Sequence, residues 1–149
     1  MRNAKLDILP KGVFSYKKLV FVINENISHW TCVIVNFEQN EIEYLDSFNS
    51  RRTSYFDIVK RNLETEGKNL CQHDTAALLL TPSTRMPFLK RKRDRGLPLQ
   101  MNGHDCGIFC IYYIVYRVMN IPMDFTQKDT ERLREHMLLS LLVEDPTYH

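Results

Sequence analysis

Residues 108–119 (IFCIYYIVYRVM) constrain the fold of this chain more than any other stretch. They are apolar nearly all round at helical spacing, and Arg117 is the one charge among them. A helix without a polar face has to be buried, and this one is too short to cross a bilayer. Pro122 follows shortly and closes it. The rest of the chain must therefore supply its cover. At 149 residues, one core and a single domain over 1–149 are expected. A composition that is 44% hydrophobic and 26% charged is globular rather than disordered.

The cover is readable in outline. Residues 18–24 (KLVFVIN), 30–37 (WTCVIVNF) and 42–45 (IEYL) are β-branched and aromatic runs with short polar connections, and they predict an antiparallel meander. Tyr55, Ile58, Val59 and Leu63 then recur at helical spacing and predict a helix over 53–66, stopped by Gly67. Residues 70–99 carry Pro82, Pro87 and Pro98 and give no clear period; 75–80 reads equally as helix or strand. Within them, 90–95 (KRKRDR) reads either as a solvated loop or as an import or steering signal. Thr126, with Asp129 and Glu131 behind it, caps a last helix running to about 143, with Leu133, Met137, Leu138 and Leu141 as its buried stripe. The fold class is α+β, a small antiparallel or mixed sheet flanked by helices.

A formal charge of +2 gives no argument for nucleic acid. No apolar run approaches the length of a membrane span, and residues 1–11 lack the apolar core of a signal peptide. Without a secretion signal, Cys32, Cys71, Cys106 and Cys110 are expected as free thiols in an intracellular protein.

One of these thiols stands where chemistry is favoured. Cys106 lies where a Gly-containing loop enters the apolar helix, and a helix N-terminus offers partial positive charge and unpaired N–H groups. Both favour a thiolate, and the Cys106 N–H can serve a developing oxyanion. Gly107 removes bulk beside the sulfur, whereas the charge of Asp105 opposes the thiolate and suits it to bonding the loop. His29 enters the second strand and Asp46 leaves the third, so the two belong at one end of a hairpin. There an Asp can fix the tautomer of an imidazole and stabilise the imidazolium. Gln100 can offer its amide to the oxyanion. Each piece alone has a bland reading, as a structural His, a turn Asp or a buried Cys. Cys32, Cys71 and Cys110 are read that way.

Together, His29-Trp30, Tyr44-Leu-Asp46-Ser47 and Gln100-x5-Cys106-Gly107 with Asp105 before the cysteine resemble the ubiquitin-like-protein-specific protease family, which includes the sentrin-specific proteases and a deneddylase. Phe125-Thr-Gln-Lys-Asp129 and the helix after it resemble that family's last helix. The resemblance implies a papain-like α+β fold, short at its N-terminal side, and hydrolysis after the C-terminal Gly-Gly of a ubiquitin-like modifier. SUMO is the first expectation, with NEDD8 and ubiquitin as alternatives. By position it implies Cys106 as nucleophile, His29 as base, Asp46 as orienting carboxylate and Gln100 as oxyanion donor. Trp30 would roof a diglycine channel, and Gly107 is read with Trp30 as substrate-binding. No cofactor and no metal are implied, neither nucleic acid nor membrane is expected as a partner, and the chain is read as a monomer in the nucleus or nucleocytoplasm.

Two other classes compete. A catalytically inactive modifier-binding module would carry the same residues. A zinc site could use Cys71, His73, His104, Cys106 or Cys110, although Cys-x3-Cys is a weak zinc signature.

Overall fold

The computed structural model describes residues 13–50, 54–73, 89–92 and 96–142, with only the backbone of 70–73 and 142. Three strands come first: β1 (Lys18–Glu25), β2 (His29–Asn36) and β3 (Glu41–Leu45). Helix α1 (Ser54–His73) and a short strand β4 (Lys90–Lys92) follow, then helices α2 (Cys106–Met119) and α3 (Thr130–Leu142). The sheet order is β1-β2-β3-β4; the first three strands are antiparallel and β4 runs parallel to β3.

The period-2 alternation of strand side chains builds two cores from one sheet. Leu19, Val33, Val35 and Ile42 point to one face, where Phe56, Val59 and Leu63 of α1 cover them. Cys32, Ile34 and Leu45 point to the other, against Ile108, Phe109 and Tyr113 of α2. β2 is therefore central and buried on both sides, which is why its sequence is an unbroken apolar run and not an alternating one. Each fully buried aliphatic or aromatic side chain contributes roughly 1.5–3 kcal/mol of transfer free energy. Phe125 wedges between α2 and α3, with the rings of Phe109, Tyr112, Tyr113 and Tyr116 centred 5.4, 6.0, 5.8 and 5.4 Å away.

Helix α2 is tied down at its C-terminal end. The Lys18 ammonium donates to the carbonyls of Arg117 and Val118 at 2.7 and 3.2 Å, where the helix dipole favours a cation. Arg117 grips Glu43 of β3 through two hydrogen bonds of 2.7 and 3.0 Å. Asn120, in the left-handed conformation at φ 56°, ends the helix.

Four expectations need correcting. α1 does not stop at Gly67 but runs to His73; a helical glycine costs only about 1 kcal/mol, which packing of the Phe56–Val59–Leu63 face outweighs. α2 is not buried all round, because the sheet and α3 cover only part of it, leaving Ile111, Val115, Val118 and Met119 exposed. The stripe on α3 is buried only at Leu133 and half-buried at Met137, while Leu138 and Leu141 are 56% and 73% exposed. The charge run at 90–95 is not simply a solvated loop. Its first half is β4, with Lys92 3.5 Å from Glu41 and Arg91 stacked 4.9 Å over Phe56 while pairing with Asp57 at 2.5 Å. The expectations placed on 75–80 lie outside the described residues. No helix among the described residues is long and apolar enough to cross a membrane.

Candidate active site

The β2–β3 register pairs Cys32 with Leu45, so the start of β2 and the end of β3 meet at one end of the sheet. His29 and Asp46 project there, with Nε2 of the imidazole 2.6 Å from the Asp46 Oδ1. Asp46 is fully buried yet well supplied with donors. The Phe48 and Ser50 N–H groups donate to its two oxygens, each at 2.9 Å, and the Ser50 hydroxyl also donates. Burial by itself pushes this carboxyl up; the bonds from Ser50, Phe48 and His29 outweigh it and hold the group below the usual carboxylate range. Phe48 packs on the imidazole with ring centroids 4.7 Å apart. The other ring nitrogen, His29 Nδ1, is buried and has no hydrogen-bond partner among the described residues. A cavity of about 200 Å³ adjoins the pair, lined by Glu25, Ser28 and Ser50 among others.

Cys106 opens α2 and is only 6% exposed. The N-terminus of α2 abuts the residue after His29: a Cβ on Gly107 would lie 3.6 Å from Trp30 Cδ1, an ordinary contact. Trp30 itself is 42% exposed, with its indole at the surface of this end of the sheet. Gln100 is buried and fixed from both sides. Its N–H donates to the Ser47 carbonyl at 3.1 Å, and its side-chain oxygen accepts the Ser47 hydroxyl. Its Nε2 donates to the Asn102 carbonyl, which uses one of two amide hydrogens. The structure thus gathers His29, Trp30, Asp46, Gln100, Cys106 and Gly107 at one end of the sheet.

The remaining thiols differ. Cys32 and Cys110 are buried, and contact with Cys110, with burial added, pushes the Cys32 thiol well up. Cys71 and His73 have no described side chain, and among the described residues no group of three His, Cys, Asp or Glu is placed to hold a metal.

Sequence reading missed Ser50, Asn102, Gln127 and Arg134. Asn102 Oδ1 accepts the N–H groups of His104 and Asp105, shaping the loop before Cys106. Gln127 and Arg134 reach that loop from the last helical segment. Only the fixed Phe-Thr-Gln string hinted at Gln127. A second cavity, about 270 Å³, lies at the far end of the sheet, where its Lys92–Glu41 and Arg117–Glu43 charges are paired.

Residues 3–142 match the model of the Ulp1 protease family, C-terminal catalytic domain. The chain belongs to the Ulp1 protease family. It is 30% identical over 125 residues to ubiquitin-like-specific protease 1A of Arabidopsis thaliana, covering 84% of this chain and 23% of that protein. It is 28% identical over 134 residues to human sentrin-specific protease 2, covering 89% of this chain and 21% of the relative. Among solved structures, the yeast C-terminal Ulp1 protease domain in complex with Smt3, the yeast orthologue of SUMO, superimposes with a TM-score of 0.63 at 26% identity, covering 86% of this chain and 54% of that one. A second, the Ulp1 SUMO protease with its catalytic cysteine oxidised to a sulfinic acid, gives 0.64 at 26% identity, over 89% of this chain and 57% of the other. This Ulp1-family chain therefore spans about a quarter of the curated relatives and about half of the solved domains.

Proposed function

We propose that this chain is the catalytic domain of a cysteine peptidase that cleaves after the C-terminal Gly-Gly of a ubiquitin-like modifier, SUMO in particular, from a lysine isopeptide or a precursor peptide. The observation that carries the reading is the uncommitted, buried His29 Nδ1 on an imidazole whose Nε2 is held by Asp46 at 2.6 Å. A buried nitrogen left unpaired is costly, and a catalytic role is one reason for a fold to bear that cost. Here it is free to take the proton of a thiol.

In this mechanism His29 Nδ1 accepts the Cys106 proton, and the thiolate attacks the carbonyl carbon of the terminal glycine. Negative charge on that oxygen is met by the Cys106 N–H at the start of α2 and by the second Nε2 hydrogen of Gln100. Asp46 stabilises the imidazolium through Nε2–H. His29 then protonates the leaving amine, the thioester remains on Cys106, and a water activated by the same imidazole hydrolyses it. In this reading Trp30, within contact range of Gly107, roofs the entry to Cys106, and Gly107 keeps that approach low. A narrow passage under an indole admits glycine, which has no side chain, and rejects larger residues. Residence in the nucleus or nucleocytoplasm follows from the same reading.

The test is reaction of the purified chain with electrophilic probes built on SUMO, NEDD8 and ubiquitin. A covalent adduct on the SUMO probe, absent in Cys106→Ala, is expected. An adduct on another probe alone would reassign the modifier. A folded chain that binds SUMO without forming an adduct would favour the inactive binding module.

A further inference from the structure

Asp is among the residues that most readily cap a helix with their side chain. Asp105 occupies the N-cap position of α2 and makes no such bond. Its buried carboxylate points elsewhere: one oxygen accepts the Arg134 guanidinium, and the other accepts Asn102 Nδ2 at 2.7 Å and Gln127 Nε2 at 2.6 Å. Gln127 is anchored in turn, since its oxygen accepts the Met101 N–H at 2.7 Å. The turn before α3 and α3 itself thus hold both ends of the loop that delivers Cys106.

We infer that Arg134 is a positioning residue for Cys106: it draws the Asp105 carboxylate away from the first turn of α2, keeping those N–H groups and the adjacent thiol clear of a negative charge. This rests on the reading of Cys106 as nucleophile. Released from Arg134, Asp105 would turn back onto its own helix. It would then occupy donors an oxyanion needs and set a like charge beside the thiolate. Among the described residues, titratable groups at this end of α2 include His29 from β2 with Asp46 bonded to it, His104 in the exposed loop, and Cys110 one turn along the helix against Cys32 of β2. Burial opposes the Asp105 charge, but the bonds from Arg134, Asn102 and Gln127 hold its carboxyl well below the usual range. The diverted group therefore stays charged at every working pH.

The test is the rate of Cys106 alkylation by iodoacetamide against pH, read by mass spectrometry, in the parent chain, Arg134→Gln and the double variant Asp105→Ala/Arg134→Gln. Arg134→Gln is expected to react about tenfold more slowly at neutral pH, with its profile displaced upward. The double variant, which has no carboxylate to turn back, should return to within about threefold of the parent. Thermal unfolding checks each variant. If Arg134→Gln does not fold, Arg134→Lys keeps the charge without the fork and should react like the parent. A parent-like rate in Arg134→Gln, a double variant as slow as the single one, or a slow Arg134→Lys would each overturn the inference. An inert Cys106 in the parent, toward iodoacetamide and modifier probes alike, would overturn the nucleophile reading and this inference with it.

Discussion

Asp46 collects hydrogen bonds from four donors on its two oxygens while almost no solvent reaches it. An Asn in its place keeps the shape but presents an N–H where His29 needs an acceptor. Asp46→Asn is expected to lower kcat by about 10³–10⁴-fold with little change in probe binding, measurable on a fluorogenic modifier conjugate. Asp46 and Asp105 also make the fold less stable in acid. Both are held below the unfolded value of about 3.9. Below that value the unfolded chain binds more protons than the folded one, so acid favours unfolding. Their contribution is whole above about pH 5 and is lost as pH falls past 4 toward the folded values. Denaturant midpoints across that range should fall in the parent and fall less steeply in Asp105→Asn. At this scale the meeting of His29 with Asp46 was readable from the strand ends the two occupy. Arg134 was not, because it sits among Glu131, Arg132 and Glu135 on a helix surface where one sequence offers no signal.

Elements were readable where side-chain period and burial coincide. β1, β2 and β3 agree with their apolar runs to within a residue or so, and Thr126 with Asp129 forms the expected capping box. β4 was not readable, because Lys-Arg-Lys has neither alternation nor branched residues; backbone pairing with β3 and the ion pairs at Asp57 and Glu41 hold it. The overrun at Gly67 has the same lesson, as tertiary packing overrides a local preference worth about 1 kcal/mol. Leu63 is the best measure of that packing, being fully buried where α1 meets the sheet. Leu63→Ala is expected to cost about 2–5 kcal/mol, read from chemical denaturation, with Cys106 reactivity unchanged in the surviving folded fraction.

The described residues form a sheet between two helical layers, and one of these layers carries exposed apolar side chains. Ile111, Val115, Val118 and Met119 form an exposed apolar area on α2, and Leu138, Leu139 and Leu141 are exposed on α3. Such areas promote association. Val118→Lys is expected to leave the unfolding midpoint nearly unchanged, within about 0.5 kcal/mol, and to raise the concentration at which the isolated chain stays dispersed in light scattering. Equal scattering would show that this area is not what limits solubility.

The loop carrying Cys106 is braced by Gln127 and Arg134, which the ribosome adds after it, while His29 and Asp46 are added long before. Domains fold as units, and contacts distant in sequence form late. A half-made chain therefore carries its thiol and its imidazole without the brace that brings them to order. The consequence is one of timing: the loop that presents Cys106 takes its braced shape only once the closing helix has been made.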